Sequence, residues 1–203
     1  MNETKIAESI DYLANIDPDI KDALPNVGPP PPRIRPVGFE TFFTTIVSQQ
    51  ISTAAASAIM ARVRARLPAL TAEAVLLTPP EALREDGLSH RKIEYAKGLA
   101  SAITEGTFAI NTLEQLDDQA AIDQITALRG FGRWSAEIYL MFSLQRQDIF
   151  PADDLAIQVG LQKLKKLDEK PSAKTARQLT EHWAPQRSTG ALFLWHYYHG
   201  APN

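Results

Sequence analysis

Cysteine is missing from all 203 residues. That excludes disulfides, thiolate metal sites, iron–sulfur clusters and cysteine nucleophiles. No run of about 18 apolar residues occurs, so nothing reads as a membrane span. The opening residues, Met1 to Ile6, lack the basic-then-apolar pattern of a signal peptide. Positive charge is not in excess: 21 Lys and Arg stand against 24 Asp and Glu, a formal net charge of −3. A protein that coats nucleic acid through bulk charge is therefore disfavoured, whereas binding through local patches and backbone amides stays open. Alternating strand patterns are missing too, with Ile149-Phe150 the main short β-branched run, and no repeat of 20–50 residues is visible.

What is present is helical periodicity. Hydrophobic residues make up 44% and charged residues 22%, enough for one sizeable core or two small lobes. Residues 3–15 carry Ile6, Ile10 and Leu13 at helical spacing. A break follows from Pro25 to Pro36, with four consecutive prolines at 29–32, which reads as a stiff extended strap. A long apolar, alanine-rich stretch then runs from Phe39 to Leu67. Thr78-Pro79-Pro80-Glu81 reads as a helix start with a threonine cap, and Ser89 as the cap of a helix over about 90–105. Further helices are predicted at about 112–116, 118–127, 134–145, 154–166, 172–183 and 188–199. The fold class is all-α, with about nine or ten helices. Residues 1–36 form an N-terminal helix and strap, and 37–203 a core. In that core one helical lobe spans about 37–128, and a second is completed by the N-terminal helix and 129–203.

Leu128-Arg129-Gly130-Phe131-Gly132-Arg133 lies between two of these helices. Gly130 and Gly132 permit positive φ and close backbone approach. The helix that starts at Arg133 or Trp134 points its N–H donors and positive dipole end back at the hairpin, a ready anion site. A plain glycine-containing helical turn reads the same way. The segment 33–66 adds Arg33, Arg35, Arg62, Arg64 and Arg66 against a single acid, Glu40, a local charge of +4 that favours a polyanion.

Phe150-Pro151-Ala152-Asp153-Asp154-Leu155 joins two helices, so one aspartate sits at a helix N-terminus as a favoured cap. Only one acid is needed to cap. The other is available to stabilise a developing oxocarbenium ion or to activate water. Trp134 and Trp195 are core residues or electron-rich faces for a planar cation. Ser48-Gln49-Gln50-Ile51-Ser52 is a capped turn or a loop that fills space in a duplex. His90-Arg91-Lys92 is a solvated helix start or a phosphate contact.

In this order and spacing the motifs SQQIS, GLSHRKIEYAKGLA, LRGFGRWSAEIYL, FPADDLAI and RSTGALFLWHYYHG resemble the helix-hairpin-helix DNA glycosylase superfamily, nearest its DNA-3-methyladenine glycosylase II (AlkA-like) branch. The resemblance covers about Gly38 to Gly200. It implies two helical lobes with a cleft between them. Asp154 matches the catalytic aspartate, with Asp153 supporting the helix start. Gln50 matches the residue that wedges into the duplex, and Trp134 and Trp195 match pocket aromatics. Gly130, Phe131, Gly132 and Arg133 would hold the DNA backbone. The carbonyls of Thr126, Leu128 and Phe131 would bind a monovalent cation, Na or K, with no other cofactor required.

Departures from the family carry information as well. Trp134 stands where lyase relatives have a Schiff-base lysine, so strand cleavage is not expected. Ile138 replaces a pocket aromatic, with Glu137 beside it. Only about 37 residues precede the core, so the N-terminal mixed sheet domain of AlkA is expected to be absent or reduced. The resemblance implies a monofunctional enzyme that flips alkylated purines such as 3-methyladenine and 7-methylguanine out of double-stranded DNA and hydrolyses their N-glycosidic bond. A cytoplasmic, nucleoid-associated monomer with no membrane role is the expectation. The competing readings are a glycosylase for another lesion, a non-catalytic helix-hairpin-helix DNA-binding protein, and a helical small-molecule binder or scaffold.

Overall fold

Capping residues and apolar stripes partition the chain into helices throughout, and the computed structural model describes residues 1–200. In order these are α1 (Glu3–Ile16), α2 (Pro18–Val27), α3 (Phe39–Ser48), α4 (Thr53–Arg66), α5 (Ala72–Leu77) and α6 (Pro80–Glu85). Then come α7 (His90–Thr104), α8 (Asp118–Thr126), α9 (Arg133–Phe142), α10 (Leu155–Leu164), α11 (Ala173–Leu179) and α12 (Arg187–Gly200). Short 3-10 turns occupy Ile110–Gln115 and Glu181–Trp183. No strand occurs among the described residues, so the all-α expectation holds. The last three residues of the predicted core, 201–203, lie outside the described residues.

Several boundaries differ from the sequence-based expectation, each for a local reason. The predicted break at Pro25 is instead helix: Asp17 caps α2, accepting from the amides of Asp19 and Ile20, and Pro18 occupies its first turn. Pro25 sits inside that helix, and the break begins only after it, at Gly28. Thr78 does not cap α6. Its hydroxyl donates back to the Ala74 carbonyl at the end of α5, and Pro79 is the residue before α6. The stretch 172–183 is two elements rather than one, because α11 stops at Thr180, whose hydroxyl bonds the Ala176 carbonyl. Twelve α-helices among the described residues exceed the nine or ten expected, because α2 and α5 lie where no helix is predicted and the stretch 39–67 divides into α3 and α4.

The chain divides into two compact units, Pro36–Ala136 and Met1–Arg35 together with the chain from Glu137 onward. The middle unit buries Phe42, Phe43, Ile46, Val63, Val75, Leu83 and Leu99. Phe42 meets Phe108 and Phe131 edge-on, at centroid separations of 5.5 and 5.4 Å. The terminal unit buries Leu13, Ile20, Phe142, Leu161, Trp183 and Phe193. There α10 packs against α12, and α1 against α2 and α12. A Cβ on Gly160 would lie 2.7 Å from the Leu194 carbonyl oxygen, so glycine is what lets α10 and α12 approach so closely. The proline strap is tied to the terminal unit at two points. The amino group of Met1 donates to the Arg33 carbonyl at 3.1 Å, and the Arg35 amide donates to the Phe142 carbonyl at 2.8 Å.

Candidate active site

In the middle unit, the hairpin joins α8 to α9. The Phe131 amide donates to the Leu128 carbonyl at 3.1 Å, and the Ala136 amide to the Gly132 carbonyl at 3.2 Å, which starts α9. Gly130 has φ +95°, and a Cβ there would meet the Tyr95 ring at 2.4 Å. Both the left-handed backbone and the ring therefore demand glycine. Phe131 is buried against Phe42, which anchors the tip of the hairpin. Gly130→Ala is expected to destabilise the chain by about 1–3 kcal/mol. Gly132→Ala meets nothing within 4 Å and is expected to cost less than about 1 kcal/mol. Thermal unfolding of the two variants side by side checks the contrast.

The turn after α3 is part of the same unit. Gln49 donates from Nε2 to the Gly130 carbonyl at 2.8 Å, tying this turn to the hairpin. Gln50 is exposed and holds φ +56°, a left-handed conformation that Gln145 and Lys166 share at +58° and +53°. Ser52 caps α4 by accepting from the Ala55 amide. Lys92 donates to the Val47 carbonyl at 2.7 Å, which closes the end of α3, and burial pushes its ammonium below the usual lysine range. The Lys92 of the predicted solvated start is thus a clamp on α3. Trp134, in the first turn of α9, is 40% exposed, and Arg133 beside it is exposed as well.

The local +4 of segment 33–66 does not survive as a single basic surface. Arg64 pairs with Glu40 at 2.6 Å, and Arg66 with Asp86 and Glu85 at 2.8 and 3.1 Å. Arg62 donates to the Asp86 carbonyl at 2.8 Å. Arg129 of the hairpin pairs with Glu94. A count along the sequence cannot see acids twenty residues away that fold back onto these arginines.

In the terminal unit, Asp154 is itself the N-cap of α10. Its Oδ1 accepts from the Ile157 amide and from the Trp195 indole Nε1, each at 3.0 Å. The expectation that Asp153 supports the helix start is therefore corrected. Asp153 is half-exposed and pairs with Arg177 at 3.4 Å. Capping and an indole bond fix one carboxylate oxygen in place, an arrangement suited to electrostatic work on a fixed cation. Trp195 is 9% exposed and packs against Phe142 at 5.7 Å between centroids. The Arg33 guanidinium lies over both rings, 5.8 Å from Phe142 and 5.9 Å from Trp195, and Arg35 lies 5.7 Å from Phe142. Ile138 is buried, and Leu155, next to Asp154, is 64% exposed. The sequence reading missed the stacking of Arg33 on Trp195 and the contacts of Arg177, because each partner lies far along the chain.

Comparison with known proteins bears on both units. Residues 43–186 match the family described as HhH-GPD superfamily base excision DNA repair protein. The chain is 34% identical over 163 residues to DNA-3-methyladenine glycosylase 1 of Schizosaccharomyces pombe, spanning 77% of this chain and 71% of that protein. Its fold is similar to that of a DNA-3-methyladenine glycosidase from Bacillus halodurans, with a TM-score of 0.85 and 30% identity over 94% of this chain and 88% of that one. It is also similar to the S. pombe 3-methyladenine DNA glycosylase in complex with abasic DNA, with a TM-score of 0.80 and 30% identity over 96% of this chain and 98% of that one.

Proposed function

Because the chain belongs to the helix-hairpin-helix superfamily of base excision DNA repair proteins, we propose that it is a monofunctional DNA glycosylase that excises alkylated purines. The observation that carries this reading is Asp154, a carboxylate held by a helix N-terminus and by the indole of Trp195. Its relatives named above are DNA-3-methyladenine glycosylases, and one of them was captured on abasic DNA.

A base inside a duplex is out of reach, so the damaged nucleotide is flipped out first. Gln50, exposed at the tip of its strained turn, fills the gap left behind. The hairpin amides near Gly130, Phe131, Gly132 and Arg133 hold a backbone phosphate through the α9 N-terminus, which needs no excess of lysine. The carbonyls of Thr126, Leu128 and Phe131 are oxygen donors of the kind that suit a hard monovalent cation. The Leu128 carbonyl already accepts one amide, which leaves its second lone pair for an ion. Such an ion would lend positive charge to phosphate binding at the hairpin.

Alkylation at N3 or N7 makes the purine cationic and a good leaving group. One carboxylate then suffices: Asp154 stabilises the sugar cation as the bond breaks and helps water to attack. The indole and phenyl faces of Trp195 and Phe142 suit a planar cation, and Trp134 offers a further exposed aromatic face. With tryptophan at position 134 there is no Schiff-base amine there, so the expected product is an intact abasic strand. The chain acts as a monomer on double-stranded DNA, in the cytoplasm with the nucleoid. No helix among the described residues is long and apolar enough to cross a membrane.

A set of duplexes carrying single lesions tests this reading. Release of 3-methyladenine or 7-methylguanine, with 8-oxoguanine untouched, is expected. Excision of 8-oxoguanine alone would assign the chain to another lesion, and binding without release of any base would leave a DNA-binding protein. A second prediction follows from Arg33, whose guanidinium rests on the Trp195 ring. A base stacking on that face displaces it. Arg33→Ala is expected to lower KM for alkylated duplex by about two- to fivefold with kcat unchanged, the equivalent of one exposed cation–π contact. A rise in KM would mean that Arg33 holds DNA instead.

A further inference from the structure

Arg177 on α11 is left unused by the chemistry above, yet its contacts converge on the turn that delivers Asp154. Its Nη1 donates to the Phe150 carbonyl at 2.8 Å. Its Nη2 lies 3.3 Å from Glu137 Oε1 and 3.4 Å from Asp153 Oδ2. Phe150 is four residues before Asp154, and Asp153 immediately precedes it. The turn between them is closed by the Ala152 amide on the Phe150 carbonyl, 2.8 Å, and the Asp154 amide on the Pro151 carbonyl, 3.0 Å. Gln158, from α10, donates to the Ala152 carbonyl at 2.7 Å. Arg177 therefore grips both ends of a four-residue turn from outside.

The chemistry calls for arginine. A planar fork can bond a backbone carbonyl and two carboxylates at once, whereas an ammonium on a flexible stem cannot hold all three in fixed directions. Glu137 is 1% exposed, and a carboxylate so buried requires a cationic partner. Ion pairing with Glu137 alone would not aim Nη1 at the Phe150 carbonyl. That bond acts on the backbone, one peptide after another, up to Asp154.

We propose that Arg177 is a positioning residue for Asp154, acting through the turn 150–153. The proposal rests on Asp154 being the reacting carboxylate. Asp154 bonds the Trp195 indole, so the indole N–H of Trp195 reports its placement independently of any turnover.

The experiment uses the full chain as wild type, Arg177→Gln, Arg177→Lys, and Arg177→Gln combined with Glu137→Gln. Three quantities are measured: single-turnover release of methylated purine from duplex DNA, affinity for an abasic-site duplex, and the NMR resonances of the tryptophan indoles. Arg177→Gln is expected to slow release on the order of 10²-fold, as misplacement by about 1 Å can. Its affinity for the abasic duplex stays within about twofold. The Trp195 indole resonance moves. Arg177→Lys, which keeps the charge without the fork, lies between wild type and Arg177→Gln, and carries the test if the glutamine variant fails to fold. The double variant stays slow, because the bond to the Phe150 carbonyl is still missing. Recovery of the full rate in the double variant would overturn the proposal, since Arg177 would then only neutralise Glu137. So would an unmoved Trp195 indole. If Trp195 moves but the wild type releases no base from any duplex, the placement of Asp154 stands and the glycosylase reading falls.

Discussion

Asp154→Asn is expected to slow base release on the order of 10²–10³-fold while leaving affinity for abasic duplex DNA close to wild type. Asparagine keeps an oxygen where Oδ1 accepts from the Ile157 amide and the Trp195 indole, so the cap on α10 and the indole bond survive. The negative charge is removed, and the other carboxylate oxygen becomes an amide nitrogen. A charge that acts only on the developing sugar cation contributes to the transition state and little to ground-state binding. The loss therefore falls on kcat. Asp154→Ala is the poorer probe, because it also removes a helix cap, a loss of about 1 kcal/mol. Equal release by Asp154→Asn and wild type would shift the chemistry elsewhere. Asp153, an adjacent carboxylate that is 53% exposed at its side chain, would be the next candidate.

The largest loss of stability is expected at Asp17. Its carboxylate is fully buried. It accepts from Lys165 Nζ at 2.6 Å and from the Trp183 indole at 2.6 Å, lies 3.0 Å from His182 Nε2, and caps α2. Lys165 also pairs with Asp19 at 2.9 Å. Asp17 thus joins the N-terminal helices to residues nearly the whole chain away. Removing one partner of a buried ion pair leaves the other uncompensated, so Asp17→Ala is expected to destabilise the chain by about 3–5 kcal/mol. For a chain of this size that lowers Tm by roughly 6–20 °C.

Acid should act through the same group. Burial pushes the Asp17 carboxyl up, but hydrogen bonds from Lys165 and Trp183, the charge of Lys165 and the His182 contact outweigh it and hold the group below the usual aspartate range. The folded state therefore releases this proton more readily than the unfolded chain. Its contribution is complete above the unfolded value of about 4, and fades as pH falls through the depressed folded value. Denaturant unfolding of wild type and Asp17→Asn between neutral pH and about pH 3 checks this. The variant should lose less stability on acidification, and an equal loss in both would contradict the assignment.

What could be read along the chain was local. Ser89 accepts from the Lys92 amide as its position before α7 predicts, and the apolar spacing of Ile6, Ile10 and Leu13 gives the buried face of α1. Asp17-Pro18 carried a readable cap and first-turn proline for α2, but Pro25 masked them. The aspartate pair was placed correctly at a helix start, yet adjacent acids look alike until the turn before them is known. That turn makes Asp154 the cap and sends Asp153 to Arg177. Pairings over distance were invisible. Arg64 with Glu40 spans 24 residues, Arg177 with Glu137 spans 40, and Trp183 with Asp17 spans 166. No local pattern encodes them, because each depends on how several helices pack.

The most direct test of the account is a product analysis. Wild-type chain is incubated with methylated duplex DNA, and the free bases and the DNA strand are identified by mass spectrometry. The expected result is free alkylated purine together with an uncut strand that carries an abasic site and no bound protein. Strand cleavage without added alkali, a covalent adduct with the protein, or no free base at all would contradict it.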